Sequence, residues 1–371
     1  MKHIKSIGLM SGTSMDGLDC GLFHITLTQD YRLEWKCQYF KIIPYSQYTR
    51  CLIIKALAGD EKAILEAHIE LGQIFTSSVK EILKKRKVDI IASHGQTISH
   101  EDGISTYQIG NAENMHQVFQ IPVVHNIRKA DIDVGGNGAP LMPFLDWLLF
   151  KESRENTITL NLGGIANISY IPSSGNRNEV MGFDTGPGMS LMDETCRKVW
   201  DINMDQDGSI TARGNVNAEL LNELMQYKFI TKKPPKSTGR NEFGSNMVKQ
   251  IIKENPHIPT VDLMRTFCAF TAKSIGANLK SSLNIKLLKP RLIISGGGVH
   301  HPVLMDDIRK YVQITNIKTT DGYGIDPKMK ESLLMAVLAV ARMKNLPSNM
   351  PSVSGADRQI VLGDILMTDQ V

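Results

Sequence analysis

One acidic residue is a candidate catalytic group because of the residues around it. Asp184 ends an apolar segment in the stretch VMGFDTGPGMSLMDETC, with glycines directly behind it and a helix expected to start near residue 188. Anions and reacting groups gather where a strand meets a helix N-terminus, and a carboxylate there can accept a proton from an attacking water or hydroxyl. Asp184 is therefore predicted to be either a general base or a buried N-cap of the following helix.

Four glycine-rich loops follow apolar segments, at residues 12–17, 163–164, 186–188 and 296–298. Glycine lets backbone N–H groups approach an anion closely and adopts a positive φ without strain. Each loop alone is compatible with a tight turn, but the four together indicate the phosphates and ribose of a nucleotide. The sequence contains no GxxxxGK[ST] P-loop, no complete dinucleotide fingerprint and no HRD kinase loop.

The first of these loops, in IGLMSGTSMDGLD, also carries two acids, Asp16 and Asp19. Asp16 either caps the turn through its own backbone or positions a magnesium ion through water. Magnesium prefers oxygen ligands and retains several of its waters, so a carboxylate at this position suits it. The two interpretations have equal support in the sequence.

Histidines cluster in the first part of the chain. Their spacing lacks the i, i+4 pairs of a helical metal site, so for His94, in SHGQT, hydrogen bonding to a substrate or a structural role is favoured over metal binding. The cluster consists of His94, His100, His116 and His125.

Basic residues provide candidate contacts to a negatively charged substrate. Arg128 follows an apolar segment, and it either holds a carboxylate or phosphate in bidentate fashion or pairs with the nearby Asp131 or Asp133. In the polar stretch KPPKSTGRNEFG, Lys236 and Arg240 either reach the substrate or belong to a solvated loop.

Bulk composition limits the function classes. The chain has 371 residues, a net charge of +4 and 42% hydrophobic residues, which is typical of a soluble enzyme of about two domains. The basic block KEILKKRK ends a predicted helix, where cations are favoured, so no nucleic-acid partner is predicted. The five scattered cysteines form no CxxC pair, and no segment resembles a signal peptide or a membrane span. We expect a cytoplasmic protein without disulfides or membrane contacts.

The predicted elements alternate between strands and helices, which is typical of an α/β fold. Strands are expected at 5–10, 18–27 and 39–43, and an amphipathic helix at 60–87 is capped by Asp60. TITLNLGGIANISYIP repeats the strand–glycine–strand outline of residues 4–27, so two related halves are predicted. Further helices are expected at 188–200, 215–228, 242–254 and 260–283, with a last long helix in DPKMKESLLMAVLAVARMKN.

Six motifs occur in order along nearly the whole chain: IGLMSGTSMDGLD, HGQT, NLGGIANIS, GFDTGPG, PPKSTGR and SGGG. In this the chain closely resembles the anhydro-N-acetylmuramic acid kinase family. The resemblance implies the sugar kinase–Hsp70–actin fold, with two ribonuclease H-like α/β domains and an interdomain nucleotide cleft. Residues 1–129 with 346–371 would form the first domain, and residues 130–345 the second.

The resemblance also implies the reaction and its residues. The family uses ATP and magnesium to convert 1,6-anhydro-N-acetylmuramic acid and water to N-acetylmuramic acid 6-phosphate, in peptidoglycan recycling. The family precedent implies a homodimer. Asp184 would be the general base, and Asp16 would meet magnesium through water. Sugar contacts would come from His94, Gln96, Arg128 and Glu331. Nucleotide contacts would come from Gly12, Thr13, Ser14, Met15, Asp16, Gly17, Leu18, Asp19, Gly163, Gly164, Gly186, Gly296, Gly297 and Gly298.

The chain departs from the family pattern at three places: Asn126-Ile127 stands where DF is usual, Asn137 where Gln is usual, and His301 where Asn is usual. These departures leave open a related kinase for another anhydro-sugar. Two other hypotheses are a nucleotide-dependent switch of the Hsp70/actin type, and a metal-dependent hydrolase that uses the histidine cluster.

Overall fold

The structure, a computed structural model, describes residues 3–12, 15, 17–84, 86–283 and 285–367. It divides into two units, one formed by Met1–Leu149 and Met329–Val371 and the other by Phe150–Lys328. Thr13, Ser14 and Asp16 of the predicted nucleotide set lie outside the described residues.

The first unit is a mixed sheet covered by helices. Its strands are β1 (Ile4–Ser11), β2 (Gly17–Leu27), β3 (Leu33–Pro44), β4 (Ile90–Glu101), β5 (Ser105–Ile109), β6 (Val123–His125) and β12 (Asp364–Leu366). Its helices are α1 (Gln47–Leu57), α2 (Glu61–Leu83), α3 (Ala112–Phe119), α4 (Lys129–Ile132), α5 (Met142–Phe150), α13 (Lys330–Met343) and α14 (Pro351–Ser354).

In this sheet the described strands follow the order β12-β6-β4-β1-β2-β3, with β5 paired to β4. β1, β2 and β3 form an antiparallel meander, whereas β4 runs parallel to β1 and β6 runs parallel to β4. The predicted third strand, at 39–43, is the second half of the longer β3.

α2 shows why the amphipathic pattern folds as a helix. The Asp60 side chain accepts a hydrogen bond from the Ala63 N–H at 3.1 Å, as the sequence predicted for an N-cap. The face with Leu71, Phe75 and Val79 is buried against the sheet. The helix ends at Leu83, four residues before the predicted end, because the apolar spacing stops there and a basic segment follows.

The second unit has its own sheet and a larger set of helices. Its strands are β7 (Thr157–Leu162), β8 (Ile165–Ile171), β9 (Met181–Pro187), β10 (Arg291–Ser295) and β11 (Ile317–Thr319). Its helices are α6 (Ser190–Trp200), α7 (Ala218–Met225), α8 (Lys228–Thr231), α9 (Ser245–Glu254), α10 (Thr260–Ser282), α11 (Ile285–Leu288) and α12 (Pro302–Val312). Short 3₁₀ helices are Lys151–Ser153, Arg177–Glu179, Gln206–Gly208, Thr211–Arg213, Gly297–His300 and Thr320–Tyr323.

The two sheets share an order of five strands, to which the first sheet adds β5 and β12. In the second unit the described strands follow the order β11-β10-β7-β8-β9. Again the first three strands form an antiparallel meander, and the next two run parallel to the first. This repeated order is the ribonuclease H-like sheet, so the predicted fold class and the two related halves are confirmed. Among the described residues, no helix combines the length and the apolar character that crossing a membrane needs.

The unit boundaries fall at residues 149/150 and 328/329, rather than at the predicted 129/130 and 345/346. The boundary at 328/329 follows from the packing of α13 on β1. A Cβ atom added to Gly8 would lie only 1.9 Å from the Ser332 carbonyl oxygen, so helix and strand backbones are in direct contact. The Ser6 hydroxyl also donates to the Ala336 carbonyl at 3.0 Å. α13 therefore belongs to the first unit.

A buried ion pair fixes the first turn of α13. Lys330 Nζ lies 2.5 Å from Asp146 Oδ1, and the side chains are 2% and 1% exposed. Replacing Lys330 by Met leaves the buried carboxylate without its cation, which should destabilise the first unit by about 3–5 kcal/mol. Replacing both residues, as in Lys330→Met with Asp146→Leu, should restore most of that loss.

Urea unfolding followed by tryptophan fluorescence measures this effect, since Trp147 adjoins Asp146. The matched control is Lys129→Met, which breaks the exposed Lys129–Asp133 pair and should change stability by less than about 1 kcal/mol. An equal loss in the single and double variants at Lys330 would contradict the prediction.

Candidate active site

A row of polar side chains crosses the sheet of the second unit. Asp184 in β9 pairs in register with Asn167 in β8, Asn167 pairs with Asn161 in β7, and Asn161 pairs with Ser295 in β10. Residues directly opposite on neighbouring strands project from the same face of a sheet. The row lies at the sheet edge where the loops at 163–164 and 296–298 begin.

A β-bulge places Asp184 within this row. The β8–β9 register shifts between Ala166 and Asn167, which leaves Thr185 as the extra residue beside Asp184. Bulges bend a strand and redirect its side chains. The Thr185 hydroxyl donates to the Ala166 carbonyl at 3.1 Å, and the Asn278 amide donates to the Thr185 carbonyl at 3.0 Å. The extra residue is therefore held in a defined position.

The loop that carries PPKSTGR orients the Asp184 carboxylate. The Thr238 N–H donates to Asp184 Oδ2 at 2.8 Å, and the Asp184 N–H donates to the Lys236 carbonyl at 3.2 Å. Asp184 thus receives a donor from a loop more than fifty residues further along the chain. It does not cap α6, which was the alternative interpretation of this residue.

The N-terminus of α6 is occupied by the glycine turn that precedes β8. The N–H groups of Gly188 and Ser190 donate to the Gly164 carbonyl at 2.9 and 3.1 Å, and that of Met189 donates to the Gly163 carbonyl at 2.8 Å. A Cβ atom at Gly188 would lie 2.2 Å from the Gly163 carbonyl oxygen, so this contact requires glycine. The N–H groups of residues 188–190 therefore already have protein carbonyls as partners at this helix end.

Lys236 lies beneath Asp184. Its side chain is buried, and its ammonium group donates to the Phe229 carbonyl at 2.9 Å and to the Ile230 carbonyl at 3.3 Å. Burial lowers the pKa of Lys236 to about 8, and Asp184 opposes this shift. Arg240, from the same polar loop, lies over the turn: a Cβ atom at Gly164 would be 3.1 Å from Arg240 Nη2.

The loop at 296–298 packs against the end of β7. Gly296 has φ +87°, and a Cβ atom there would be 2.7 Å from the Leu162 carbonyl oxygen. A Cβ atom at Gly298 would be 2.7 Å from that of Leu162, whereas one at Gly297 would meet nothing within 4 Å. Gly296 and Gly298 are thus needed for packing, and Gly297 lies beside open space. Gly186, with φ +131°, faces Ile230.

His301 directly follows this loop and contacts Asp205. His301 Nδ1 accepts a hydrogen bond from the Leu304 N–H at 3.1 Å and so caps α12. His301 Nε2 lies 3.4 Å from Asp205 Oδ2. Asparagine is also a favoured N-cap, so both residue types can accept a hydrogen bond at the N-terminus of this helix.

The buried carboxylate of Asp205 accepts several hydrogen bonds from the residues that follow it. It accepts from the N–H groups of Ile210 and Thr211 at 2.8 and 2.9 Å and from the Thr211 hydroxyl at 2.6 Å. Burial raises the pKa of Asp205, but the hydrogen bonds from His301 and Thr211 outweigh it and hold this pKa well below its usual range.

In the first unit, the structure describes part of the turn between β1 and β2. Gly12 accepts from the Met15 N–H at 3.2 Å, and Met15 has φ +55°. A Cβ atom at Gly17 would be 2.5 Å from the Ile43 carbonyl oxygen. Leu18 is fully buried, so its side chain belongs to the core, and Asp19 is half-buried in β2.

Gln96 supports this turn. The Ser11 hydroxyl donates to Gln96 Oε1 at 2.7 Å, and Ser11 Oγ lies 2.6 Å from the Tyr45 hydroxyl. Since Ser11 uses its own proton on Gln96, Tyr45 is the donor to Ser11. The Gln96 side chain is 1% exposed. The structure therefore places the Gln96 side chain against Ser11, at the end of β1 where the turn begins.

His94, Arg128 and Glu331 are brought together, and with Gly138 we call them the Arg128 cluster. Arg128 Nε donates to His94 Nε2 at 2.9 Å, and Arg128 Nη1 donates to the Gly138 carbonyl at 2.8 Å. His94 Nδ1 lies 2.9 Å from the Gly95 carbonyl oxygen, so the imidazole is the neutral Nδ1–H tautomer. The expectation that Arg128 pairs with Asp131 or Asp133 is wrong.

Electrostatics agree with this arrangement. Burial and the adjacent Arg128 lower the pKa of His94 to about 3, which keeps the imidazole neutral. Burial also lowers the pKa of Arg128 to about 10, and Glu331 opposes this shift. Two of the five guanidinium N–H groups are held by protein acceptors, so the orientation of the guanidinium is fixed while it keeps its charge.

Other predicted groups have structural partners. His116 Nδ1 lies 2.9 Å from the Ile121 carbonyl oxygen, and His100 Nε2 lies 3.3 Å from Asp102. The described residues bring no three His, Cys, Asp or Glu side chains together as metal ligands. The sequence reasoning missed Asn161 and Asn167, although their alternation with apolar residues in TLNLGGIANIS was a signal for polar positions on one sheet face.

A ribonuclease H-like sheet in each unit, with glycine loops and an oriented carboxylate at one sheet edge of the second, defines a protein of the sugar kinase–Hsp70–actin class. The anhydro-N-acetylmuramic acid kinase family model matches residues 4–368. The chain therefore belongs to the anhydro-N-acetylmuramic acid kinase family, as the motifs predicted.

Two anhydro-N-acetylmuramic acid kinases match nearly the whole chain, and a solved structure also aligns with it. The anhydro-N-acetylmuramic acid kinase of Clostridioides difficile (strain 630) is 35% identical over 374 residues, with 97% of each chain covered. That of Bacillus cereus (strain G9842) is 34% identical over 375 residues, covering 96% of this chain and 98% of the relative. The (R)-2-hydroxyglutaryl-CoA dehydratase component A of Acidaminococcus fermentans aligns with a TM-score of 0.46 at 9% identity, covering 92% of this chain and 99% of that chain.

Removal of the His301 side chain tests its role as a cap. His301→Ala removes the acceptor for the Leu304 N–H, whereas His301→Asn keeps a capping oxygen. We expect the alanine variant to be less stable than the asparagine variant by about 1 kcal/mol in chemical unfolding. Equal stabilities of the two variants would show that His301 does not stabilise α12 as a cap.

Proposed function

We propose that the chain uses ATP to open the 1,6-anhydro ring of 1,6-anhydro-N-acetylmuramic acid and to phosphorylate O6, as a step in peptidoglycan recycling. The observation that carries this proposal is the position of Asp184. Its carboxylate is redirected by the bulge, oriented by the Thr238 N–H and placed at the sheet edge of the glycine loops at 163–164 and 296–298.

In the proposed reaction Asp184 accepts a proton from a water molecule that attacks C1 of the sugar. The C1–O6 bond breaks, O6 takes the γ-phosphoryl group, and ADP leaves. Little covalent chemistry is required of the protein in phosphoryl transfer, so the alignment of water, sugar and phosphate supplies most of the rate enhancement.

Arg128 is proposed to bind the lactyl carboxylate of the sugar. An arginine recognises a carboxylate best when two of its N–H groups point at the two oxygens. His94 and Gly138 hold the guanidinium through Nε and Nη1. Both of these partners are uncharged, so neither neutralises the guanidinium, and Glu331 favours its charged form through space. His94 would act through Arg128 rather than on the sugar.

The remaining parts of the proposal follow from the family resemblance. The nucleotide would meet the backbone at residues 12–19, 163–164, 186 and 296–298, with Gly297 beside open space. Magnesium would be held near the phosphates, with Asp16 as an oxygen ligand through water. The protein would act as a homodimer in the cytoplasm. Size-exclusion chromatography with light scattering measures its molar mass and so its oligomeric state.

Replacement of the proposed base should abolish turnover with little effect on nucleotide binding. We expect Asp184→Asn to lower kcat by about 10²–10⁴-fold, the usual contribution of a general base, with the KM for ATP almost unchanged. The assay couples ADP release to NADH oxidation and identifies the 6-phosphate by mass spectrometry. The control is Asp201→Asn, at the exposed C-terminal end of α6; undiminished turnover in Asp184→Asn would refute the base assignment.

A panel of two anhydro-sugars tests the role of Arg128. 1,6-Anhydro-N-acetylglucosamine lacks the lactyl group, so its KM should be insensitive to Arg128→Met. The KM for 1,6-anhydro-N-acetylmuramic acid should rise by about 10–100-fold, because a charged contact is lost.

The same panel separates the competing hypotheses. A wild-type preference for the sugar without a carboxylate would favour a related anhydro-sugar kinase. ATP hydrolysis that no sugar stimulates would favour a nucleotide-dependent switch.

A further inference from the structure

Asp131 is a buried carboxylate that the proposed reaction does not use. It lies in α4, three residues after Arg128, and is 2% exposed. Its hydrogen bonds come from uncharged groups. Oδ2 accepts from the Gly138 N–H at 2.8 Å, and Oδ1 accepts from the Asn349 amide at 2.8 Å and the Ser354 hydroxyl at 2.9 Å.

Gly138 is the point at which this carboxylate reaches Arg128. Its N–H donates to Asp131, and its carbonyl accepts from Arg128 Nη1. Gly138 has φ +70°, and a Cβ atom there would be 2.9 Å from Ile132 Cγ1. Both backbone polar groups of Gly138 are therefore hydrogen-bonded, and these bonds orient its carbonyl toward Arg128.

The other side of the carboxylate holds the C-terminal segment. Asn349 is fixed in turn, since it accepts from the Ile360 N–H at 2.8 Å and donates to the Arg358 carbonyl at 3.0 Å. The Asn137 N–H donates to the Ser354 carbonyl at 2.8 Å. The loop at residues 135–140 and the C-terminal segment at residues 349–360, which the proposed reaction leaves without a role, thus meet at Asp131.

We propose that Asp131 is a positioning residue for Arg128, acting through Gly138, and that it thereby sets the preference for a carboxylate-bearing sugar. The inference rests on the proposed function for the identity of that sugar. The relay has a physical advantage over a direct ion pair: it fixes the guanidinium through a peptide carbonyl, so the carboxylate of Asp131 orients Arg128 without neutralising it.

Two substitutions at Asp131 test the relay. Asp131→Ala removes every acceptor for the Gly138 N–H. Asp131→Asn keeps the side-chain volume. In either orientation of the amide, however, its NH₂ group replaces an oxygen that accepts from Gly138 or from Asn349 and Ser354. The matched control is Asp133→Asn, in the same short helical segment, which removes only the exposed partner of Lys129.

The first readout is sugar selectivity. For Asp131→Ala we expect the KM for 1,6-anhydro-N-acetylmuramic acid to rise about tenfold through misplacement of Arg128, with the KM for 1,6-anhydro-N-acetylglucosamine unchanged. Asp131→Asn should give a smaller change in the same direction, and Asp133→Asn none. A merely structural role would lower kcat for both sugars by the same factor, and unchanged selectivity in a folded Asp131 variant overturns the proposal.

The second readout does not depend on activity. In ¹⁵N–¹H spectra the Arg128 Nε–H should exchange slowly with solvent in the wild type and in Asp133→Asn, and faster in the Asp131 variants. Unchanged exchange in Asp131→Asn contradicts the relay even if Asp131→Ala does not fold. If the wild type phosphorylates neither sugar but Arg128 exchange responds to Asp131, the proposed function fails while the relay stands.

Discussion

Buried polar groups must find partners, and the arrangement of the loops around each site depends on how they do so. An unsatisfied donor or acceptor in the interior costs about 1–3 kcal/mol. In the first unit Asp131 accepts from two side chains and a backbone N–H. In the second unit Asp205 accepts from the N–H groups of Ile210 and Thr211 and lies 3.4 Å from His301 Nε2. Asp131 connects the loop at Gly138 to Asn349, and Asp205 connects the segment at Ile210 to His301. These contacts favour one arrangement of each loop.

The glycines at the strand ends have two different physical roles. Gly188 and Gly296 are needed because backbones approach too closely for any side chain: the carbonyl oxygens of Gly163 and Leu162 occupy the space of a Cβ. Gly297 lies beside open space instead, which suits a ligand that approaches the main chain. The composition of a glycine-rich loop therefore does not by itself identify the glycines that meet a nucleotide.

The charges of the Arg128 cluster also have a common explanation. A cation that must bind an anionic substrate is weakened if a protein carboxylate pairs with it directly. Here a neutral imidazole and a peptide carbonyl accept the hydrogen bonds of the guanidinium, and Glu331 favours its charged form through space. Burial keeps His94 neutral by lowering its pKa. Asp131 contributes its orienting effect from one peptide away, where it does not cancel the charge.

Much of the fold followed from the sequence, because strand alternation, helical spacing and caps such as Asp60 are local properties. The duplicated strand–glycine–strand pattern predicted two related halves, and the motifs predicted the family. The unit boundaries did not follow, since α13 belongs to the first unit through its close contact with Gly8, more than three hundred residues away.

The sequence by itself determined which residue types were available for chemistry, including Asp184 and Arg128. Only the tertiary structure decided their partners: Thr238 for Asp184, and His94 and Gly138 for Arg128. Asp131 and Asp133 are close to Arg128 in the sequence. In the structure, however, Arg128 donates to the Gly138 carbonyl, and the Gly138 N–H donates to Asp131. Hydrogen bonds depend on distances and directions in space, and these arise only when segments far apart in the chain pack together.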